Sequence, residues 1–272
     1  MFDMQIYSGK DILNKLIIIA GPCLAESESL LFETAEVLVK AVAGREIDFY
    51  FKASYRKANR SSVNSFSGAG DELALKWIAG VGEKFKIKTI TDIHSAEEAG
   101  MAAGFVDCLQ IPAFLSRQTD ILTAAGKTGK MVNIKKGQFM APSDMKKAAE
   151  KVLAAGNDKI MLTERGTSFG YHDLIVDYRG LKIMSDTGYP VIFDATHSVQ
   201  QPSIGEQSGG QPRYIENLTR AALAVGVDGI FFETHPDPRN AKSDSATQLP
   251  LEQAANFIDR IVKIYDFFKR LD

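Results

Sequence analysis

The stretch LIIIAGPCLAES, beginning at Leu16, ends an apolar run at Gly21-Pro22 and sets Cys23 directly behind it. Two roles are open to a thiol in that place. Free cysteine is among the most buried residue types, so a small packing residue is one of them. A thiolate with a chemical task is the other. Its company elsewhere in the chain decides between them. Other apolar runs also end in charge: FKASYRKANRSS carries Lys52, Lys57 and Arg60, TDIH carries Asp92 and His94, and NIKK carries Lys135 and Lys136. TERG carries Arg165, DATHS carries Asp194 and His197, and ETHPDP carries Glu233 and His235, while LQIPAF places Gln110 at the equivalent point.

Two chemistries emerge. Lys52, Lys57, Arg60, Lys135 and Arg165 are cationic, and Lys52 and Lys135 close apolar runs where a charge is costly unless it is paired or used. Arg and Lys donors match phosphate and carboxylate groups, so the expectation is a substrate site for more than one anionic group. Cys23, His197, Glu233 and Asp244 (in AKSDSATQLP) offer a thiolate, an imidazole and two carboxylates, a set suited to a divalent transition metal. Zinc, iron(II) and manganese all accept such donors. His235 and Asp237 compete for the same role. The spacing is too long-range for a local motif, so only a fold can assemble these residues.

The elements that must do so alternate regularly. Short β-rich runs at 16–20, 49–52, 88–91, 108–110, 131–134, 159–162, 191–194 and 229–233 read as strands. Helical patterns follow at 29–43, 72–85, 96–103, 118–126, 143–155, 213–224 and 251–271, with a weaker one near 181–186. Continuous apolar strands fit a parallel sheet buried on both faces. Eight such units predict a (β/α)8 TIM barrel, whose active site lies at the C-terminal ends of the strands. A doubly wound open sheet is the alternative, but GPC is not GxGxxG, so a dinucleotide site is unsupported. Segments 5–7 and 11–13 flank Ser8-Gly9-Lys10 and predict a short N-terminal β-hairpin. In a closed barrel strands 7, 8 and 1 are consecutive neighbours, which brings Cys23, His197 and Glu233 together. Cys108 falls within a strand and reads as core.

The bulk numbers agree. A chain of 272 residues with 45% apolar composition can form one large core, and 1–272 reads as a single barrel domain. A net charge of −2 gives no global field for nucleic acid, so any anion site is local. Two widely spaced cysteines form no CxxC pair and favour a reducing compartment. The N-terminus lacks a signal-peptide pattern and no run is long enough to span a bilayer, so the expectation is a soluble cytoplasmic protein.

IAGPC, FKASYRKANRSS, LQIPAFLSRQTD, NIKKGQF, ERGTSFGYHDLIVD, FDATHSVQ and ETHPDP…SDSATQLPL occur in this order and together resemble the 3-deoxy-D-manno-octulosonate 8-phosphate (KDO8P) synthases. The resemblance covers nearly the whole chain. It implies condensation of phosphoenolpyruvate with D-arabinose 5-phosphate and water to give KDO8P and phosphate, a step toward lipopolysaccharide. The related synthases of 3-deoxy-D-arabino-heptulosonate 7-phosphate (DAHP), which use erythrose 4-phosphate, are the alternative; KANRSS argues against them. Carried over, Lys52, Lys57, Lys135 and Arg165 resemble a phosphoenolpyruvate cradle lined by Gln110, Pro112 and Ala113, with Ser54 nearby. Asn59, Arg60 and Ser61 resemble binders of the arabinose 5-phosphate, and Ser208, in a lid-like loop, a phosphate contact. Arg117 resembles a residue that reaches a neighbouring subunit's site, which implies a functional homotetramer. Members with Asn at the position of Cys23 are metal-independent and those with Cys are metal-dependent, so Cys23 implies the latter. Lys57 is then a candidate proton donor to the forming alkoxide, His197 or Asp244 helps handle the water, and Asp92 is a supporting acid or an ordinary strand cap.

Overall fold

The computed structural model describes residues 15–58, 66–201 and 209–271. Each expected apolar run is a strand: β1 (Leu16–Gly21), β2 (Ile47–Lys52), β3 (Lys88–Asp92), β4 (Cys108–Ile111), β5 (Met131–Lys135), β6 (Ile160–Glu164), β7 (Val191–Asp194) and β8 (Gly229–His235). Between and after them lie α1 (Glu28–Val42), α2 (Asp71–Phe85), α3 (Ala96–Ala103), α4 (Thr119–Lys127), α5 (Met145–Ala154), α6 (Tyr178–Ser185), α7 (Ile215–Val225) and α8 (Leu251–Phe268). Neighbouring strands pair in parallel, and β1 pairs with both β2 and β8, which closes the (β/α)8 barrel.

The burial pattern explains the continuous apolar runs. Side chains alternate across a strand. Ile17 and Ile19 point into the barrel with Tyr50, Ile90, Cys108, Met161, Ile192 and Phe231. Leu16, Ile18 and Ala20 belong to the larger layer between strands and helices. Both faces are dry, so most positions in these runs select an apolar residue. Cys108 is fully buried in the inner layer, as its place within a strand suggests.

Three features depart from the sequence reading. After β6 the chain makes an antiparallel hairpin, Thr167–Phe169 with Asp173–Ile175, before α6 begins. α6 starts at Tyr178, earlier than the weak pattern near 181–186, because Asp177 caps it by accepting from Arg179 N at 3.1 Å. Leu249–Pro250 also forms a short parallel strand beside Thr234 and His235 of β8. The expected hairpin at 5–7 and 11–13 lies outside the described residues. Among the described residues, no helix is long and apolar enough to cross a membrane.

Candidate active site and metal centre

The sharp turn after β1 has a steric cause. A Cβ on Gly21 would sit 2.0 Å from the Lys52 carbonyl oxygen, so only glycine lets β1 and β2 run this close at their C-terminal ends. Cys23 then lies fully buried at the mouth of the barrel. Its backbone N–H donates to Gln248 Oε1 (3.2 Å), and its carbonyl accepts from Ser54 N (3.3 Å) and Lys52 Nζ (3.2 Å). The thiol sulfur lies 3.0 Å from Ser243 Oγ and 3.2 Å from Asp244 Oδ2, and the carboxylate can only accept its proton.

Asp244 reaches the site through an unusual backbone. Its φ of 47° is left-handed, a region that Asp tolerates better than most residues. Its carbonyl accepts from Thr247 N and Gln248 N, which turns the loop back toward β1. The thiol of Cys23 and one carboxylate oxygen each of Glu233 and Asp244 lie within 4.8 Å of one another. His197 stands at the edge of that trio, its Nε2 3.4 Å from Asp244 Oδ2 and 3.7 Å from Glu233 Oε1. Its Nδ1 faces Asp194 Oδ2 at 2.8 Å. A carboxylate behind a ligating histidine fixes the ring and leaves the other nitrogen for a metal. Glu233 Oε2 is buried and has no hydrogen-bond partner. An orphaned carboxylate oxygen among a thiol, an imidazole and a second carboxylate is the donor chemistry that fits a divalent cation. His235 and Asp237 are drawn elsewhere: His235 Nδ1 accepts from Asp237 N (3.0 Å), and Nε2 faces Glu26 Oε1 at 3.6 Å.

Cations ring this cluster; the lysines are paired with carboxylates, whereas Arg165 bonds only neutral acceptors. Lys52 Nζ donates to Glu233 Oε1 at 2.8 Å, with both side chains almost wholly buried. Lys135 Nζ donates to Asp194 Oδ2 at 2.6 Å and lies 3.9 Å from the centre of the Phe231 ring, a cation–π contact on the floor of the site. Arg165 Nη2 donates to the His197 carbonyl (3.1 Å) and to Gln200 Oε1 (3.0 Å), whereas its buried Nε has no partner. Lys57 Nζ donates to Ser54 Oγ at 2.9 Å and lies 3.7 Å from Asp92 Oδ2. Lys136, beside Lys135, is fully buried 3.4 Å from Glu164 Oε1, beneath the hairpin after β6.

The charges support one another. Burial pushes the Lys57 ammonium toward neutrality, but Cys23, Asp92, Glu233 and Asp244 outweigh it and raise its pKa, so Lys57 is charged. Burial disfavours the Asp92 carboxylate, yet Lys52 and Lys57 hold it well below the usual range. Asp194 is likewise held low against burial by His197 and Lys135. Lys135 is pulled below the ordinary lysine value by burial, despite Asp194. The Cys23 thiol is pushed well up, first by burial and then by the Asp244 and Glu233 carboxylates.

Most of the expected residues therefore converge: Cys23, Lys52, Ser54, Lys57, Asp92, Gln110, Lys135, Arg165, His197, Glu233 and Asp244 all join this contact network. Pro112 and Ala113 follow β4, at the start of a single 3-10 turn. Arg117 is not drawn into it; it lines a surface pocket with Ser116, Met140, Asp144, Lys147, Ala148 and Lys151. Asn59, Arg60, Ser61 and Ser208 lie outside the described residues. Sequence reasoning missed Glu98 on α3. It accepts from Tyr55 Oη, Arg56 Nη2 and His94 N, tying the loops after β2 and β3 together. Glu98 carried no signal because a glutamate early in a helix is ordinary.

Comparison with known proteins places the chain in a family. Proteins named 2-dehydro-3-deoxyphosphooctonate aldolase match over nearly the whole chain. The one from Desulfatibacillum aliphaticivorans is 50% identical over 250 residues, covering 92% of each chain. That from Koribacter versatilis is 51% identical over 254 residues, covering 92% of this chain and 91% of its own. That from Trichlorobacter lovleyi is 51% identical over 247 residues, covering 90% and 91%. The family model described as DAHP synthetase I matches residues 2–266, and the chain belongs to that family.

Proposed function

We propose that the protein condenses phosphoenolpyruvate with D-arabinose 5-phosphate and water, releasing KDO8P and inorganic phosphate on the way to lipopolysaccharide. The observation that carries this reading is the joint one: cations and a metal-type donor set share one barrel mouth, in a chain about half identical to proteins named for the same eight-carbon product. The DAHP reaction with erythrose 4-phosphate is the competing activity within the family.

Lys52, Lys135 and Arg165 are the cradle for the phosphate and carboxylate of phosphoenolpyruvate. Arg165 supports this role with an unpartnered buried Nε. As C3 of phosphoenolpyruvate bonds to the aldehyde carbon, the aldehyde oxygen takes up a proton, and charged Lys57 is the donor. Water then adds at C2 and phosphate departs with C–O cleavage; Asp244, which keeps a second carboxylate oxygen, is the residue that handles the water proton, while His197 is held by Asp194 through Nδ1 and faces the donor cluster through Nε2. Cys23, His197, Glu233 and Asp244 would hold a divalent cation, which when bound supplies positive charge to polarise the aldehyde oxygen or a water. Ser54, Gln110, Pro112 and Ala113 line the cradle, and Asn59, Arg60, Ser61 and Ser208 belong to the sugar-phosphate side. A homotetramer in which Arg117 reaches a neighbouring site, in one barrel domain in the cytoplasm, completes the reading.

The test is phosphate release with each sugar phosphate. Turnover with arabinose 5-phosphate, and at most about a hundredth of it with erythrose 4-phosphate, is expected. The reverse preference would assign the DAHP reaction instead. Release from neither pair, with divalent cation present, would remove both.

A further inference from the structure

Below the cations, a line of buried polar side chains crosses the inside of the barrel. Thr163 Oγ1 of β6 donates to Asn133 Oδ1 of β5 at 2.6 Å. Asn133 Nδ2 donates to Gln110 Oε1 of β4 at 3.0 Å. Gln110 Nε2 donates to Asp92 Oδ1 of β3. From the other side, Ser54 Oγ donates to Asp92 Oδ2 at 2.6 Å, and Lys57 Nζ donates to Ser54 Oγ. Asp92, Gln110 and Asn133 are register partners on adjacent strands.

The direction of this chain is forced. An ionised carboxylate only accepts. Gln110 must therefore turn its NH2 toward Asp92, which leaves its oxygen facing Asn133. Asn133 must then offer its own NH2 to Gln110, which leaves its oxygen facing Thr163, and the threonine hydroxyl must donate. On the far side Ser54 gives its proton to Asp92, so its oxygen is left to accept from Lys57. Every bond points at Asp92. Asn133 and Thr163 are both 0% exposed, and neither is adjacent to a substrate group in the reading above.

We propose that Asn133 and Thr163 are positioning residues, which fix the Gln110 amide and through it aim the Asp92 carboxylate at Ser54 and Lys57. Their effect on catalysis rests on the role given to Lys57 under Proposed function; the polarity of the chain does not.

Two experiments test this. Thr163→Val keeps the shape and removes the donor, whereas Thr163→Ser keeps the donor and leaves a small gap. A packing role ranks valine above serine; a polar role ranks serine above valine. The expected result is a loss of about tenfold or more in kcat for Thr163→Val, with KM for phosphoenolpyruvate within about threefold, and Thr163→Ser within about threefold of the parent. Valine equal to or better than serine overturns the proposal. The second experiment reads polarity without turnover, by thermal denaturation. Asn133→Asp sets an acceptor against Gln110 Oε1 and lowers the midpoint. Adding Asp92→Asn lets the Gln110 amide turn over and reverses the chain, so more than half of the loss is regained. An unchanged midpoint in the single variant, or no recovery in the double, overturns the one-way chain even if the assigned reaction proves wrong.

Discussion

Replacing Lys52 with methionine isolates the most buried charge pair of the site. Lys52 Nζ and Glu233 Oε1 are 2.8 Å apart, and their side chains are 1% and 0% exposed. Breaking such a pair by removing one partner costs about 3–5 kcal/mol, because the other charge stays buried. Glu233 has little to fall back on: its Oε2 is already unpartnered, and the His197 imidazole Nε2 is 3.7 Å from Oε1. With an unfolding entropy of about 2.1 cal/mol/K per residue over 272 residues, the loss corresponds to a Tm lower by roughly 5–9 °C. Thermal denaturation in the presence of a chelator reads it. Glu233→Gln and the double variant complete a cycle in which the double loses less than the two singles together, by about 3 °C or more. Strict additivity would refute the claim that this pair, and not two independent burials, holds the mouth of β2 to that of β8. Added divalent cation should shrink the Lys52→Met loss, since Glu233 regains a positive neighbour.

Cys23→Ser should abolish retention of a divalent cation in elemental analysis while circular dichroism is unchanged; full retention would remove Cys23 from the ligand set. The Cys23 thiol, raised by burial and by Asp244 and Glu233, must lose a proton when a cation binds, so apparent affinity should climb about tenfold per pH unit below the thiol pKa. Competition with a chelator across pH measures this, and a flat profile contradicts it. Gly21→Ala places a Cβ 2.0 Å from the Lys52 carbonyl and should cost roughly 3 kcal/mol or more, since neither backbone can yield without parting β1 from β2. Arg60→Ala should raise KM for the sugar phosphate far more than for phosphoenolpyruvate; equal effects would withdraw its assignment.

The barrel was legible because each strand is buried on both faces, so Leu16–Gly21 or Val191–Asp194 announces itself as an unbroken apolar run. The cluster of metal-type donors was legible only through the barrel, since the chain separation of Cys23 and Asp244 says nothing until β1 meets β8. The partners of the cations were harder to see. Lys52 and Lys135 read as charges that must be paired or used, without naming a partner; Glu233 and Asp194 are those partners. A sequence marks the residue at a strand end but not which neighbour across the barrel its side chain reaches. The hairpin after β6 was missed because Thr167–Phe169 and Asp173–Ile175 are short and largely exposed, so no core imposes a pattern on them. Asn133 was missed for the opposite reason: one polar residue in a buried strand looks like noise until its hydrogen bonds are traced.

The short strand at Leu249–Pro250 has a consequence of its own. The chain leaves β8 at His235 and returns to lie beside Thr234 and His235, so the excursion at 236–248 starts and finishes at one point on the barrel. Asp244 sits on that excursion, whereas Glu233 sits on the rigid strand beneath it. A segment with coincident ends is an Ω-type loop, whose length the barrel strands do not set. Its Ser243, Asp244 and Gln248 all bond Cys23, so this loop and the turn after β1 can change only together. One carboxylate of the cluster therefore rides on a loop and the other on a barrel strand.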